Sequence, residues 1–436
     1  MVKIVHMSDT HLGYRASRGT INRWAIKNFS KPYEQEIYDT FLKVIDEISK
    51  IKHLDFLVHC GDIFHHPYKN SSYPPPEPAR RALIKGLEIF FENTNNQVPF
   101  IYCEGNHGIY RGYEYTPFES HINKDIYPNL YYFKERDLIE SIKSDNPLLL
   151  EFQEKRVRFY IFPYFEFKNF ENYESAYDKW IIKQTPENRE KYINIAVAHG
   201  STIDGTLHEK IDSDDFGYDY VALGHEHGFR EVSRNHYHSG SLLPLNFKEI
   251  NENQLYLIVD IDDNSKSLNI DRIFTNKLLG RPFELIYYEL NPNESKNDLE
   301  LRIQNQLNKY LTPGGFDPKT SARLKLNFYG EMTYETTWKI NDLMLKIRRN
   351  CFSQPEKYNI LQLIWKITDI SESIEDDISA GIIQDYILEQ PDNEFKSFVQ
   401  EKLNEDKTKF DVNKLTQFGM KAIRKALKIM EKEKEV

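Results

Sequence analysis

Within the first 227 residues, five short apolar runs each stop on a small polar cluster. Val2 to Met7 leads into Asp9-Thr10-His11, Asp55 to Cys60 into Gly61-Asp62, and Val98 to Cys103 into Gly105-Asn106-His107. Ile193 to Ala198 leads into His199-Gly200, and Tyr220 to Leu223 into Gly224-His225-Glu226-His227. Runs this short and this apolar predict strands buried on both faces. Between them, Tyr33 to Ile51 carries apolar residues at helical spacing (Ile37, Phe41, Val44, Ile45, Ile48), and Ala79 to Phe91 is helical after a Pro-rich loop at Tyr73 to Pro78. Val157 to Phe162 is a further strand, and from Phe229 to Ile261 the alternation shortens to hairpin-like segments. βαβ-like units followed by β-rich return strands predict an α/β sandwich rather than a purely parallel doubly wound sheet.

In such folds the loops at the carboxyl ends of the strands converge, so residues far apart in sequence can meet at one site. Asp-x-His and His-x-His place two side chains at i and i+2, on the same side of an extended backbone, where both can grip one ion. The glycines mark points where the chain turns sharply with little bulk. Carboxylate mixed with imidazole suits manganese, iron or zinc better than magnesium or calcium. Singly, each cluster has an ordinary reading: Asp and Thr favour caps and turns. Jointly, five clusters of Asp, Asn and His after five strands mark a metal or catalytic site.

The order D-x-H, G-D, G-N-H, H-G, G-H-x-H resembles that of the calcineurin-like metallophosphoesterases. Ser8-Asp9-Thr10-His11-Leu12-Gly13-Tyr14, Gly61-Asp62-Ile63-Phe64-His65 and Ser239-Gly240-Ser241-Leu242 are similar to one branch, the SbcD and meiotic-recombination nucleases of DNA double-strand-break repair. The motif similarity covers about the first 250 residues. The resemblance implies a four-layer αββα nuclease domain with two divalent ions, expected to be Mn2+. One ion would sit on Asp9, His11, Asp62 and His227, the other on Asp62, Asn106, His199 and His225, with Asp62 bridging. His107 would not bind metal but would donate a proton or hydrogen bond to the phosphate or the leaving oxygen, and His65 would help orient the backbone for exonuclease cleavage. The family's third motif usually continues with an acidic residue, where this chain has Gly108. A carboxylate there would orient His107; here another group, such as Glu104, would have to support it.

Near residues 276 to 281 the chain changes character. A strand (Phe283 to Leu290), a helix (Asp298 to Tyr310), a Pro-Gly-Gly turn at Pro313 to Gly315, a strand (Ala322 to Tyr329), a helix (Trp338 to Arg349) and a strand (Leu361 to Ile367) suffice for a small α/β domain. The expected division is 1–278 nuclease domain, 279–370 capping domain and 371–436 linker and helical segment. Lys421, Arg424, Lys425 and Lys428 lie on one helical side near the end, with Ile423, Leu427 and Met430 on another, an amphipathic face suited to a partner or to this chain's own domain. The resemblance implies a coiled-coil ATPase of the SbcC kind as that partner, and a homodimer.

A net charge of −10 excludes a protein that holds nucleic acid by a general positive field, so contacts with double-stranded ends or single strands must be local. Arg15, Arg18 and Arg23, interleaved with Tyr14 and Trp24, are candidates, whereas Arg80, Arg81 and Lys85 read as a charged helix face. Three separated cysteines give neither a zinc knuckle nor a disulfide framework. The N-terminus lacks a signal-peptide pattern and no window has 18 consecutive apolar residues, so the expectation is a cytoplasmic protein, nucleoid-associated by the resemblance, with no membrane contact.

Overall fold

A computed structural model describes residues 1–14, 32–65, 75–108, 126–164, 180, 183–200, 217–275, 281–290, 295–311, 315–317, 320–330, 333–354 and 357–369. Two six-stranded sheets form its centre. The first contains β1 (Val2–Met7), β2 (Phe56–His59), β3 (Phe100–Cys103), β4 (Leu130–Phe133), β11 (Leu255–Ile261) and β12 (Leu268–Phe274), in the order β12-β11-β1-β2-β3-β4. The second contains β5 (Leu149–Phe152), β6 (Val157–Phe162), β7 (Ile193–His199), β8 (Tyr220–Gly224), β9 (Arg230–Ser233) and β10 (His236–His238), in the order β5-β6-β7-β8-β10-β9. Strands β1 to β4 pair in parallel, as do β6, β7 and β8, so their carboxyl ends lie at one edge of each sheet. The return strands β11 and β12 pair antiparallel.

Successive residues of a strand face opposite sides of its sheet, and each sheet here has two faces to bury. Ile4, Phe56, Val58 and Ile101 of the first sheet pack with Phe159, Ile195, Val197 and Ala222 of the second. Val5, Met7 and Leu57 turn the other way, onto α1 (Pro32–Ser49) and α2 (Glu77–Asn93) through Phe41, Val44, Ile45, Leu83 and Phe90. On the far side of the second sheet, Tyr160, Ala196 and Val221 pack with Trp180 and with Leu138 and Ile142 of α3 (Glu135–Ser144). The layers run helix, sheet, sheet, helix, as the family resemblance implied. Within α2, Arg80 and Arg81 pair with Glu77 and Lys85 with Glu88, the charged face read from the sequence.

A third sheet has three strands, β13 (Phe283–Glu289), β14 (Ala322–Gly330) and β15 (Ile360–Asp369), in the order β13-β14-β15, accompanied by helices Lys296–Leu307 and Tyr334–Ser353. One compact unit comprises residues 1–286, 297–325 and 343–364; residues 287–296 and 326–342 belong to another, whose remainder starts at Trp365. All five polar clusters lie in the first unit. The expectations for Arg15, Arg18, Arg23, Trp24, the turn at Pro313 and the segment 371–436 fall outside the described residues. Among the described residues, no helix is long and apolar enough to cross a membrane.

Candidate metal centre

The strand ends deliver their polar clusters to one place because the parallel pairing of β1 and β2 continues beyond them. Cys60 N–H donates to Met7 O at 2.9 Å, Asp9 N–H to Gly61 O at 3.0 Å, His11 N–H to Asp62 O at 3.0 Å and Leu12 N–H to Ile63 O at 2.8 Å. Four polar residues at these ends hold left-handed backbone: Asp9 (φ 51°), His11 (φ 45°), Asp62 (φ 53°) and His225 (φ 89°). An ordinary residue costs roughly 1–2 kcal/mol there, and such outliers persist where the surroundings over-determine them. The crowding is visible at the glycines. A β-carbon on Gly61 would overlap the His199 ring, and one on Gly224 would run into the Cys60 carbonyl. Close approach, more than sharp turning, explains why Gly224 stands there.

All nine residues singled out from the sequence meet here. Asp9, His11 and His227 bring ligand atoms within 4.8 Å of one another, as do Asp9, Asp62 and His199. Asn106 Oδ1 lies 2.9 Å from His199 Nε2 and 3.2 Å from His225 Nδ1, which joins the remaining two. Asp62 Oδ1 accepts the His107 N–H at 2.8 Å, while its Oδ2 lies 3.4 Å from His199 Nε2 and 3.8 Å from His11 Nε2. His65 and His107 flank His11 on its other side. His65 Nδ1 is 3.2 Å from His11 Nδ1, and the His65 and His107 rings stack at 4.9 Å. His11, His65 and His107 also form a third group with ligand atoms within 4.8 Å.

The donor set fits divalent cations. Asp9 Oδ1 is buried without a hydrogen-bond partner, a costly state unless a positive charge faces it. His199 Nδ1 points at Cys60 O (2.7 Å) and His227 Nδ1 at the Glu249 carboxylate (2.9 Å). Committing Nδ1–H in this way leaves each Nε2 lone pair for a metal, the usual outer-shell arrangement of a ligating histidine.

Electrostatics agree. Burial, then His227, holds His11 well below the usual histidine range. Burial raises Asp9 to about 6. Burial also acts to raise Asp62, yet His199, then His107, bring it well below its ordinary value. Burial would lower His199 and His227, but Asp62 lifts the first and Glu249 with Asp9 the second, each to about 9. Both imidazoles are thus biased toward their protonated form, with which a cation would compete. Affinity for a divalent cation is expected to strengthen as pH rises toward 9, and loading at pH 7 to release protons. Titration calorimetry in buffers of different ionisation enthalpy reads this directly; a heat independent of buffer would refute it.

The model of the calcineurin-like phosphoesterase family matches residues 2–229. The chain belongs to that family. Among curated proteins, the phosphoesterase is 28% identical to the SbcD component of the nuclease SbcCD from Staphylococcus epidermidis, over 60% of this chain and 67% of that protein. It is 25% identical to the DNA double-strand break repair protein Mre11 of Saccharolobus solfataricus, over 52% of this chain and 50% of that one. With the Mre11 of Methanococcus maripaludis the identity is 35%, over 25% of this chain and 23% of that one. The match thus spans half or less of these two Mre11 proteins.

Two features of this phosphoesterase escaped the sequence reading, and a third gives Gly108 and Glu104 a different relation from the one expected. Glu249, only 6% exposed, holds His227, and nothing within two residues of it resembles a motif. Glu249→Ala is expected to weaken Mn2+ binding roughly 10–100-fold, measured by calorimetry; unchanged affinity would remove Glu249 from the site. His238 is also buried, with Nδ1 on Gly224 O at 3.0 Å, behind the His225-Glu226-His227 turn. The third feature concerns Gly108. A β-carbon there would lie 2.6 Å from Glu104 Cγ and 2.9 Å from its Oε1. Glu104 is held by Tyr132 O–H (2.8 Å) and Glu135 N–H (3.3 Å), and burial pushes its carboxyl up to about 8. Glu104 thus fills the space that an acidic residue at 108 would need.

Proposed function

We propose that this phosphoesterase is a two-metal DNA nuclease of double-strand-break processing, cleaving phosphodiesters as both exonuclease and endonuclease. The observation that carries the reading is the placement of Asp62, whose Oδ2 faces His11 on one side and His199 on the other while Oδ1 fixes the His107 backbone. One ion is assigned to Asp9, His11, Asp62 and His227, a second to Asp62, Asn106, His199 and His225, with Asp62 shared. Manganese suits this mixture of carboxylate, amide and imidazole donors. When bound, such a pair polarises a phosphoryl oxygen and ionises water at neutral pH.

The chain's own residues supply the rest. His107 is only partly buried, so its ring can reach substrate, and its backbone is pinned to a candidate ligand. From there the imidazole donates a hydrogen bond or proton to the phosphate or the leaving 3′ oxygen. His65, stacked on His107 and touching His11, steadies that ring and orients the approaching backbone. The names of the relatives support DNA as the substrate, and the name SbcCD supports assembly with an ATPase of the SbcC type. A homodimer, as the family resemblance implies, completes the proposal.

The test incubates the purified protein with Mn2+, Mg2+ or chelator on end-labelled double- and single-stranded DNA, beside a chromogenic phosphomonoester. Manganese-dependent DNA cleavage is expected. Turnover of the phosphomonoester with untouched DNA would instead establish a phosphomonoesterase of the same family.

A further inference from the structure

Arg323, near the start of β14, is 1% exposed, although an arginine is rarely buried to this degree without a carboxylate. Its guanidinium lies 3.8 Å from the Tyr33 ring centroid and 4.1 Å from that of Phe283, between two aromatic faces. Nε donates to Gln362 Oε1 at 2.8 Å and Nη2 to Leu245 O at 3.3 Å, while Nη1 has no hydrogen-bond partner. A buried charge held by stacking, by a side-chain hydrogen bond with Tyr14 and by two neutral acceptors is costly, and the metal reading makes no use of it.

Two chains of contact leave this one group, and both end on candidate ligands of the same ion. Through Leu245, whose N–H donates to Glu249 Oε2 at 2.6 Å, the first reaches His227 Nδ1 at 2.9 Å from Glu249 Oε1. The second runs through rings. Tyr33 meets Tyr14 edge to face at 6.2 Å, Tyr14 meets His65 at 4.8 Å, and His65 Nδ1 touches His11 Nδ1 at 3.2 Å. His11 and His227 then face each other, Nε2 to Nε2, at 3.0 Å.

We propose that Arg323 is a positioning residue for the ion assigned to Asp9, His11, Asp62 and His227, setting the spacing of its two imidazoles from behind. Arginine suits the task because its planar group stacks on a ring while bonding in its own plane, which lysine cannot do. The inference rests on the two-metal reading but not on DNA as the substrate.

Arg323→Lys and, as a gentler cut, Gln362→Leu are to be compared with the parent by Mn2+ calorimetry and by the Mn2+ electron paramagnetic resonance signal. Gln362→Leu keeps the arginine and removes the acceptor of its Nε. Arg323→Lys is expected to weaken one of the two Mn2+ binding steps about tenfold or more, within the range of outer-shell replacements, and to leave the other step unchanged. Gln362→Leu should weaken the same step less. In cleavage assays kcat should fall with KM for DNA unaltered. Equal weakening of both steps, or no change in either with a raised KM, would overturn the proposal; if Arg323→Lys does not fold, Gln362→Leu alone decides by the same criterion. One Mn2+ step weakened and the other unchanged, in a protein that leaves DNA intact, would uphold the positioning role and sink the nuclease reading.

Discussion

Replacing His107 by alanine is expected to slow DNA cleavage roughly 10²–10⁴-fold, the usual contribution of a positioned proton donor, while Mn2+ uptake stays as in the parent. The two effects separate because of how His107 is held. Its side chain is not assigned to either ion, and its contact with Asp62 is made by backbone N–H at 2.8 Å, which alanine retains. What is lost is a ring stacked on His65 at 4.9 Å and set edge to face on His11 at 5.0 Å. Calorimetry with Mn2+ and cleavage of end-labelled DNA, run on the same preparation, check both halves. A variant that loses metal along with activity would place His107 among the ligands, in the group it forms with His11 and His65. A variant that cleaves at the parental rate would remove it from the chemistry altogether.

The second large effect concerns Gly108. From sequence alone, Gly108→Asp looks like a repair, restoring a carboxylate beside His107. The structure predicts the opposite. The new β-carbon would sit 2.6 Å from Glu104 Cγ, and Glu104 cannot withdraw, being 3% exposed and tethered through Tyr132 and Glu135. Gly108 N–H also closes the turn on Gly105 O at 3.1 Å, so any shift is passed to Asn106 and His107. Gly108→Asp is expected to cost about 1–3 kcal/mol, the range for overpacking, seen as a lower melting temperature, and to reduce cleavage. Trimming the obstacle in Glu104→Ala/Gly108→Asp should recover part of the lost rate. Faster cleavage by the single variant at an unchanged melting temperature would show that the notch beside Glu104 is open.

The alternation of apolar runs with polar clusters made much of this architecture legible in advance. α1 begins at Pro32, one residue before the helical stretch read from Tyr33, and β1, β6 and β7 start at the residues where their apolar runs start. The elements that went unread are those whose burial is partial. β12, Leu-Asn-Ile-Asp-Arg-Ile-Phe, is an edge strand with every residue at least partly exposed, so polar and apolar positions mix. β4 and β5 have four residues each, too few to show a period, and α3 between them buries only Leu138, Ser141 and Ile142. At the site, the clusters named in sequence are those carried on strand ends. Glu249 bonds the His227 ring, and Arg323 bonds Gln362 and the Leu245 carbonyl, and neither their neighbours nor their spacing carry any mark of it. Pattern reports what a segment buries; it is silent on what a lone polar residue touches across the fold.

The proposed ligand set is divided between the sheets. Asp9, His11, Asp62 and Asn106 follow strands of the first, and His199, His225 and His227 end or follow strands of the second. During synthesis the amino-terminal part emerges and folds first, bringing four of these seven residues long before the other three leave the ribosome. A growing chain therefore carries no complete set until β7 and β8 have been made and laid against the earlier sheet. The proposed set is therefore completed late and all at once, and a product truncated before residue 227 would lack part of it.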